Sequence, residues 1–342
     1  MALVDRPDWL ALVEEEIVDP ERRIVDPHHH FFSSSEHFFP YSLTDLQRDA
    51  SSHHIEQTVY VQCEEGYRET GPEFLRCVGE TEWVSRIAAE AENPASPRPR
   101  IGGIVATANL RRGNGVREVL EAHVEASPLF RGIRDSAAFD PTRSSVSVTK
   151  GPNLYADPDF RTGFAVLDEM GLSFDAYHYH FQTPHLVDLA RAFPNATIVL
   201  DHLGTPLGVG AYAGRRDEIF GTWSAGIRDL ARCKNVVVKL GGLAMPWNGF
   251  GFEHGERPPS SDELAAAQRP YHEWAIECFG PDRCMFESNF PVDKLSVPYA
   301  ILWNAFKKIA AGASEDEQDA LFRGTATRVY GLSTAAEAHS PR

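Results

Sequence analysis

The chain has 342 residues, 42% of them hydrophobic, enough to bury a sizeable core as one large α/β domain or two smaller ones. Its 33 Lys and Arg face 49 Asp and Glu, and the resulting net charge of −16 repels phosphate backbones and anionic headgroups, which argues against nucleic acid or a membrane surface as partner. Five scattered cysteines without a CxxC pair, no secretory-type leader and no apolar run of membrane-spanning length lead us to expect a soluble cytoplasmic protein acting on a small molecule, a homo-oligomer remaining open.

Residues 1–23 read as an added arm with a short amphipathic piece at 9–17. Ile24-Val25-Asp26-Pro27-His28-His29-His30 follows, a strand that empties into three imidazoles. Strand side chains alternate, so His28 and His30 share a face, with Asp26 expected beside them and His29 opposite. From there strand-like runs alternate with helical ones. Strands are expected at 58–62, 101–106, 129–134, 172–177, 196–201, 236–240 and 283–287, and helices at 73–91, 116–125, 158–170, 184–192, 215–231 and 261–279. Two helices close the chain at 299–311 and 314–330, the second opened by Ser314 with Glu317 three residues on, a capping box.

Eight apolar strand runs, mostly continuous rather than alternating, are what parallel strands covered on both faces require. We therefore expect a (β/α)8 TIM barrel at 24–332, after the N-terminal arm and before a tail at 333–342. A doubly wound open sheet is the alternative, but no Gly-rich phosphate turn follows the first strand. Two irregular stretches stand out, residues 139–152 after strand four and the long loop 244–259 after strand seven. In the latter, Trp247, Phe250 and Phe252 sit among glycines and read as a mobile aromatic cover over the substrate, or else as a plug at the barrel rim.

In such a barrel, chemistry sits at the carboxyl ends of the strands. Those ends carry His28 and His30, Gln62, Arg134, His178, His180 and Gln182, Asp201 and His202, Lys239, and finally Glu287, Ser288 and Asn289 with Asp293 beyond. His28, His30 and His202 make three imidazoles at one mouth, enough to hold one divalent metal such as Zn²⁺ with a position left open for water. Arg134 suits a bidentate grip on a substrate carboxylate, or an ion pair with Asp135 or Asp26. Gln62, His180, Gln182 and Trp247 are further candidates to touch substrate, and Lys239 is assigned to structure.

Four stretches together carry a resemblance: Asp26-x-His28-x-His30, Phe130-Arg131-Gly132-Ile133-Arg134, Leu200-Asp201-His202-Leu203-Gly204, and Arg283-Cys284-Met285-Phe286-Glu287-Ser288-Asn289-Phe290-Pro291-Val292. In barrel order they resemble the amidohydrolase superfamily, specifically the lactonase-like amidohydrolase-2 branch that includes pyrone-dicarboxylate lactonase and sugar-acid lactonases. The resemblance implies a (β/α)8 hydrolase in which His28, His30 and His202 polarise an ester carbonyl, directly or through a metal, and a strand-eight Asp takes a proton from water. Arginines matching Arg134 hold an acidic group of the substrate in some members. The chain departs at the last point, because the family's Gly-Ser-Asp is Glu287-Ser288-Asn289, and an amide cannot accept the proton. Glu287 or Asp293 could serve instead, or a metal could make a separate base less necessary.

The expected activity is thus metal-assisted opening of a lactone or related cyclic ester bearing a carboxylate, aromatic-derived if the loop aromatics cover it. A metal-dependent non-oxidative decarboxylase of the same superfamily is the second reading, and a barrel that only binds its ligand, as the Asn289 departure allows, is the third.

Overall fold

The structure is a computed structural model; it describes residues 4–33, 38–92, 98–142, 149 and 151–333. Eight strands, β1 (Ile24–His29), β2 (Ile55–Val61), β3 (Arg100–Ala106), β4 (Phe130–Ser136), β5 (Ser173–Tyr177), β6 (Ile198–Leu200), β7 (Val236–Leu240) and β8 (Cys284–Phe286), pair in sequence order, every pair parallel. β8 meets β1 through a bridge between His29 and Phe290, with His30 N donating to Phe290 O at 2.8 Å and Asn289 N to His28 O at 3.0 Å. This seam closes a (β/α)8 barrel, as expected, and it joins the ends of the two site-bearing strands by backbone hydrogen bonds.

The helices are α1 (Pro7–Leu10), α2 (Leu43–Ala50), α3 (Val78–Ala91), α4 (Arg117–Ala126), α5 (Pro158–Glu169), α6 (Thr183–Ala192), α7 (Arg216–Ala231), α8 (Ser261–Phe279), α9 (Tyr299–Ala310), α10 (Glu315–Asp319) and α11 (Thr325–Val329). Their starts follow from sequence chemistry. Ser42 with Asp45, Ser260 with Glu263 and Ser314 with Glu317 form capping boxes, and Asp157 caps a helix that begins at Pro158. The last expected helix is interrupted: a π-turn at Ala320–Gly324 separates α10 from α11.

Two apolar layers result. Outward strand residues such as Ile24, Ile133, Ile198, Val236, Val238 and Leu240 pack under the helices. Inward ones, Val25, Val59, Val61, Val105, Val199, Val237 and Met285, fill the lumen together with Ala326, Tyr330 and Leu332 of the C-terminal segment. Each such aliphatic side chain contributes roughly 1.5–3 kcal/mol by leaving water. β7 reads Val236-Val237-Val238-Lys239-Leu240 and is wholly buried, so the lone lysine in it points into the barrel beside Val237's layer.

In the N-terminal arm the helix covers only Pro7–Leu10, and the residues that follow, in no regular structure, are held against α8 and α9. Arg6 donates to the carbonyls of Glu253 (2.9 Å) and Leu295 (2.8 Å), Glu15 accepts from Ser261 N (2.8 Å), and Val18 N donates to Asn304 Oδ1 (2.9 Å). Those long-range partners outcompete the weak local periodicity. Among the described residues no helix is long and apolar enough to cross a membrane.

Candidate active site

β1 delivers His28 and His30 to the carboxyl end of the barrel, but not by simple alternation. The pairing with β2 slips between Asp26 and His29, and this irregularity at Pro27 breaks the parity. Asp26 therefore does not join the two imidazoles, which corrects the expectation. Its carboxylate is fully buried, accepting from Tyr299 OH at 2.9 Å and Ser288 N at 2.9 Å, so it braces the β8–β1 seam instead. His29 does face away, its Nε2 2.9 Å from Thr58 Oγ1 and its ring against Phe31 and Tyr60.

His202 follows β6 on a tight turn in which His202 (φ 54) and Leu203 (φ 54) both take the left-handed conformation. Such backbone costs of order 1–3 kcal/mol per residue and persists only where the surroundings over-determine it. Here Trp223 Nε1 clamps Leu203 O at 2.6 Å, His202 N donates to Glu287 Oε1 at 3.1 Å, and Gly242 after β7 leaves space for the ring. A Cβ at Gly242 would lie 2.5 Å from His202 ring atoms, and one at Gly241 2.4 Å from Glu287 Cγ. The Gly241-Gly242 pair thus exists to admit the His202–Glu287 pair.

The three imidazoles converge. His28 Nε2 and His30 Nε2 are 3.2 Å apart, and the His28 and His202 ring centroids 4.5 Å apart. Hydrogen bonding decides which nitrogens face the mouth. His30 donates Nδ1–H to Val61 O at 2.7 Å, leaving Nε2 with its lone pair. His202 donates Nδ1–H to Glu287 Oε1 at 2.7 Å, again leaving Nε2. His28 is contested: Nδ1 lies 2.8 Å from Glu287 Oε2 and 3.1 Å from Lys239 Nζ. A carboxylate asks that atom to be a donor, an ammonium asks it to be an acceptor.

Electrostatics keep His28 and His30 neutral. Burial, aided by Lys239, pushes His28 well below the ordinary histidine value, and burial with Arg134 does the same to His30. Burial would raise Glu287, but the facing rings of His202 and His28 outweigh it and hold the carboxylate down at about 2. Its Oε1 accepts from His202 while Oε2 stands 2.8 Å from His28 Nδ1 without hydrogen-bond geometry, and so low a value makes Glu287 a poor proton acceptor. Asp293 behaves oppositely. Burial pushes it up to about 7, although Asn289 Nδ2 donates to its Oδ1 at 2.9 Å and Ala244 N to its Oδ2 at 3.2 Å. A carboxyl near neutrality is poised to exchange protons.

Arg134 reaches into the same volume, Nη1 3.3 Å from His28 Nε2 and Nη2 on the backbone carbonyl of Gln62. It pairs with neither Asp135 nor Asp26; its carboxylate neighbour is Asp201, at 4.0 Å. Lys239, assigned to structure from sequence, is instead in contact with the site. Burial disfavours its charge, but Asp175 (2.7 Å) and Asp201 (3.1 Å) prevail and keep it protonated. A charged residue inside the apolar β5 and β7 runs was the signal that marks Asp175 and Lys239.

Other candidates lie elsewhere. Gln182 is spent on backbone: its Oε1 accepts from Phe139 N and Tyr179 N, both at 3.2 Å, and its Nε2 donates to Ala137 O at 2.6 Å. His180 Nδ1 accepts from Leu207 N at 3.3 Å, bracing the turn after β6. Gln182 is thus engaged by backbone at both ends of its amide, and His180 at Nδ1. Gln62 Oε1 is buried with no hydrogen-bond partner among the described residues. Trp247 packs with Tyr177, Tyr179 and Leu207, and Tyr177 in turn lies 5.5 Å from the His202 ring. Phe250 and Phe252 do not join Trp247 as a cover: they stack on each other at 5.5 Å, with Arg216 over Phe250 and Tyr271 of α8 against it. Residues 143–148 and 150 of the 139–152 stretch lie outside the described residues.

The donor set fits a divalent ion. His28, His202 and Glu287 each offer a ligand atom within 4.8 Å of the others, and His30 Nε2 stands 3.2 Å from His28 Nε2. Val61 O gives His30 the outer acceptor that a histidine ligand requires, and Glu287 would give His202 the same support, in place of a ligand atom, where the ion sits on the Nε2 side. For His28 the fit holds in the tautomer that gives its Nδ1 proton to Glu287.

A family model described as amidohydrolase matches residues 25–332. The Sinorhizobium fredii protein y4mH is 34% identical over 291 residues, 85% of each chain. An L-fucono-1,5-lactonase of Burkholderia multivorans is 31% identical over 183 residues, 53% of this chain and 59% of that enzyme. A crystal structure of an amidohydrolase from Burkholderia multivorans with bound zinc superposes with a TM-score of 0.71 at 23% identity, covering 91% of this chain and 100% of that one, a likeness of fold. With its barrel, its convergent histidines and a family match over most of its length, the chain belongs to the amidohydrolase family.

Proposed function

We propose that this protein is a hydrolase that opens a lactone bearing a carboxylate. The observation that carries the reading is the meeting of His28, His30 and His202 at the barrel mouth with Arg134 beside them. Ester opening develops an oxyanion, and a cluster of imidazoles is built to stabilise that charge, which leaves the guanidinium for the substrate's carboxylate. The partial likeness to a protein named L-fucono-1,5-lactonase supports a cyclic ester. A divalent ion, Zn²⁺ by the character of the ligands, would be held by His28, His30 and His202 and would supply a Lewis acid to polarise the carbonyl and acidify water.

The chain's own residues do the rest. Arg134 binds the substrate carboxylate and orients the ring. Asp293, kept near neutrality by burial, takes the proton from attacking water, while the Asn289 amide aims its carboxylate. Asn289 itself accepts nothing, and Glu287 holds the imidazoles. Trp247 forms the apolar wall next to Tyr177 and favours a substrate with one flat face.

The test is a pH-indicator assay on purified protein with L-fucono-1,5-lactone, other sugar-acid lactones and carboxylated pyrone lactones. Turnover of one class, falling about 10²-fold or more in both His28→Ala and His202→Ala, is expected. Undiminished turnover in both variants contradicts the reading, as does release of CO₂ from aromatic acids with no lactone opened.

A further inference from the structure

The contested nitrogen of His28 has an anchor below it. Tyr330, in the C-terminal segment after α11, inserts its ring into the barrel lumen among Val25, Val61, Val199 and Met285. Its hydroxyl donates to Asp175 Oδ2 at 2.7 Å. Lys239 Nζ donates to that same oxygen, also at 2.7 Å, and stands 3.1 Å from His28 Nδ1. All four side chains are buried, so none can trade these contacts for water. A column therefore runs from the C-terminal plug through β5 and β7 to the first histidine of the site.

We infer that Lys239, pinned through Asp175 by Tyr330, is a positioning residue that selects which nitrogen of His28 carries the proton. A neutral imidazole has one N–H and one lone pair. When Lys239 donates to Nδ1, the proton sits on Nε2 and points at His30 Nε2, 3.2 Å away, whose own lone pair is free because Nδ1–H serves Val61 O. When Glu287 accepts Nδ1–H, the Nε2 lone pair is released to the mouth, where Arg134 Nη1 stands 3.3 Å away as a donor, so Lys239 and His30 favour one form and Glu287 and Arg134 the other. Lys239 thus favours an imidazole pair closed on itself, Glu287 one open to an electrophile. Two donors converging on Asp175 Oδ2 fix that oxygen, and with it one of the two carboxylates that hold Nζ; without the Tyr330 hydroxyl only the 3.1 Å contact to Asp201 is left unchanged, and the ammonium is less firmly pinned against Nδ1.

The inference rests on the proposed role of His28, yet its test needs no turnover. Imidazole ¹⁵N NMR on metal-free full-length protein reads the tautomer directly, with the remote buried His123 as internal reference. The wild type is expected to show His28 as the Nε2–H form. Asp175→Asn/Lys239→Met, which removes the 2.7 Å ion pair as a unit and leaves Asp201 facing Arg134, is expected to move His28 to the Nδ1–H form and to raise Zn²⁺ affinity, read by calorimetry, about tenfold or more. Tyr330→Phe, which keeps the ring and removes one oxygen, is expected to move the population part of the way, leaving the His123 signals in place. A wild type already in the Nδ1–H form, or His28 signals unmoved in both variants, overturns the inference. Absence of lactone turnover with these shifts present would instead remove the proposed function and leave the column standing.

Discussion

Replacing Glu287 by Gln separates an orienting carboxylate from a catalytic one. Glu287 takes His202 Nδ1–H at 2.7 Å, lies 2.8 Å from His28 Nδ1, and accepts His202 N at 3.1 Å. A glutamine keeps one acceptor for His202 but turns an NH₂ toward His28, favouring a lone pair on Nδ1 and hence a proton on the Nε2 that a metal needs. Removing such an outer partner costs 10–100-fold in metal affinity, which is about 1.4–2.8 kcal/mol. The carboxylate sits at about 2, below its ordinary 4.5, so its ionisation stabilises the fold. The sign is that of a depressed acid: the contribution is complete above pH 4.5 and is lost as pH falls through about 2. At pH 7 Glu287→Gln therefore forfeits of order 2–3 kcal/mol, a fall in Tm of about 3–5 °C for a domain of this size. Calorimetric Zn²⁺ titration and a thermal melt read both quantities. Loss of turnover by about 10³-fold, with metal affinity within threefold of wild type and Tm unchanged, would refute this reasoning and make Glu287 the base.

Three other perturbations follow from the same geometry. With Asp293 as base, and burial holding its carboxyl up to about 7, kcat should rise with pH through that value as the group deprotonates; Asp293→Asn should lose about 10²–10⁴-fold in kcat and abolish the limb, and a profile flat from pH 5 to 9 would exclude the role. Arg134→Met should raise KM about 10–100-fold for a lactone carrying a carboxylate while leaving an uncharged lactone within threefold, measured by paired steady-state kinetics. Gly241→Ala should lower stability by about 1–3 kcal/mol and activity with it, because the new Cβ meets Glu287 O at 2.3 Å; an unchanged melt would mean the β7 turn relaxes freely.

How much of this was legible beforehand depends on the range of the interaction. Continuous apolar runs such as Val236-Val237-Val238 and caps such as Ser260 with Glu263 are local, and the barrel followed from them. The pairing of His28 with His30 is also local, a matter of strand parity. Asp26 was misplaced because the irregularity at Pro27 depends on how β1 sits against its neighbour, which no parity rule contains. The bonds of Gln182 to Ala137 O, Phe139 N and Tyr179 N were not legible either, because strand-end polarity does not distinguish a side chain facing the mouth from one bonded to nearby backbone. Phe250 and Phe252 looked like a cover until Arg216 and Tyr271 supplied partners from distant helices. Tyr330 had no signal at all: nothing in the tail announces that its ring enters the lumen and meets Asp175, 155 residues away.

The account stands on three imidazoles from β1 and β6 sharing one divalent ion. Anomalous diffraction at the zinc edge, on crystals of protein loaded with one equivalent of Zn²⁺, locates that ion directly. One peak within bonding distance of the Nε2 atoms of His28, His30 and His202 is the predicted result. A peak elsewhere, or none while lactone turnover survives exhaustive chelation, would contradict it.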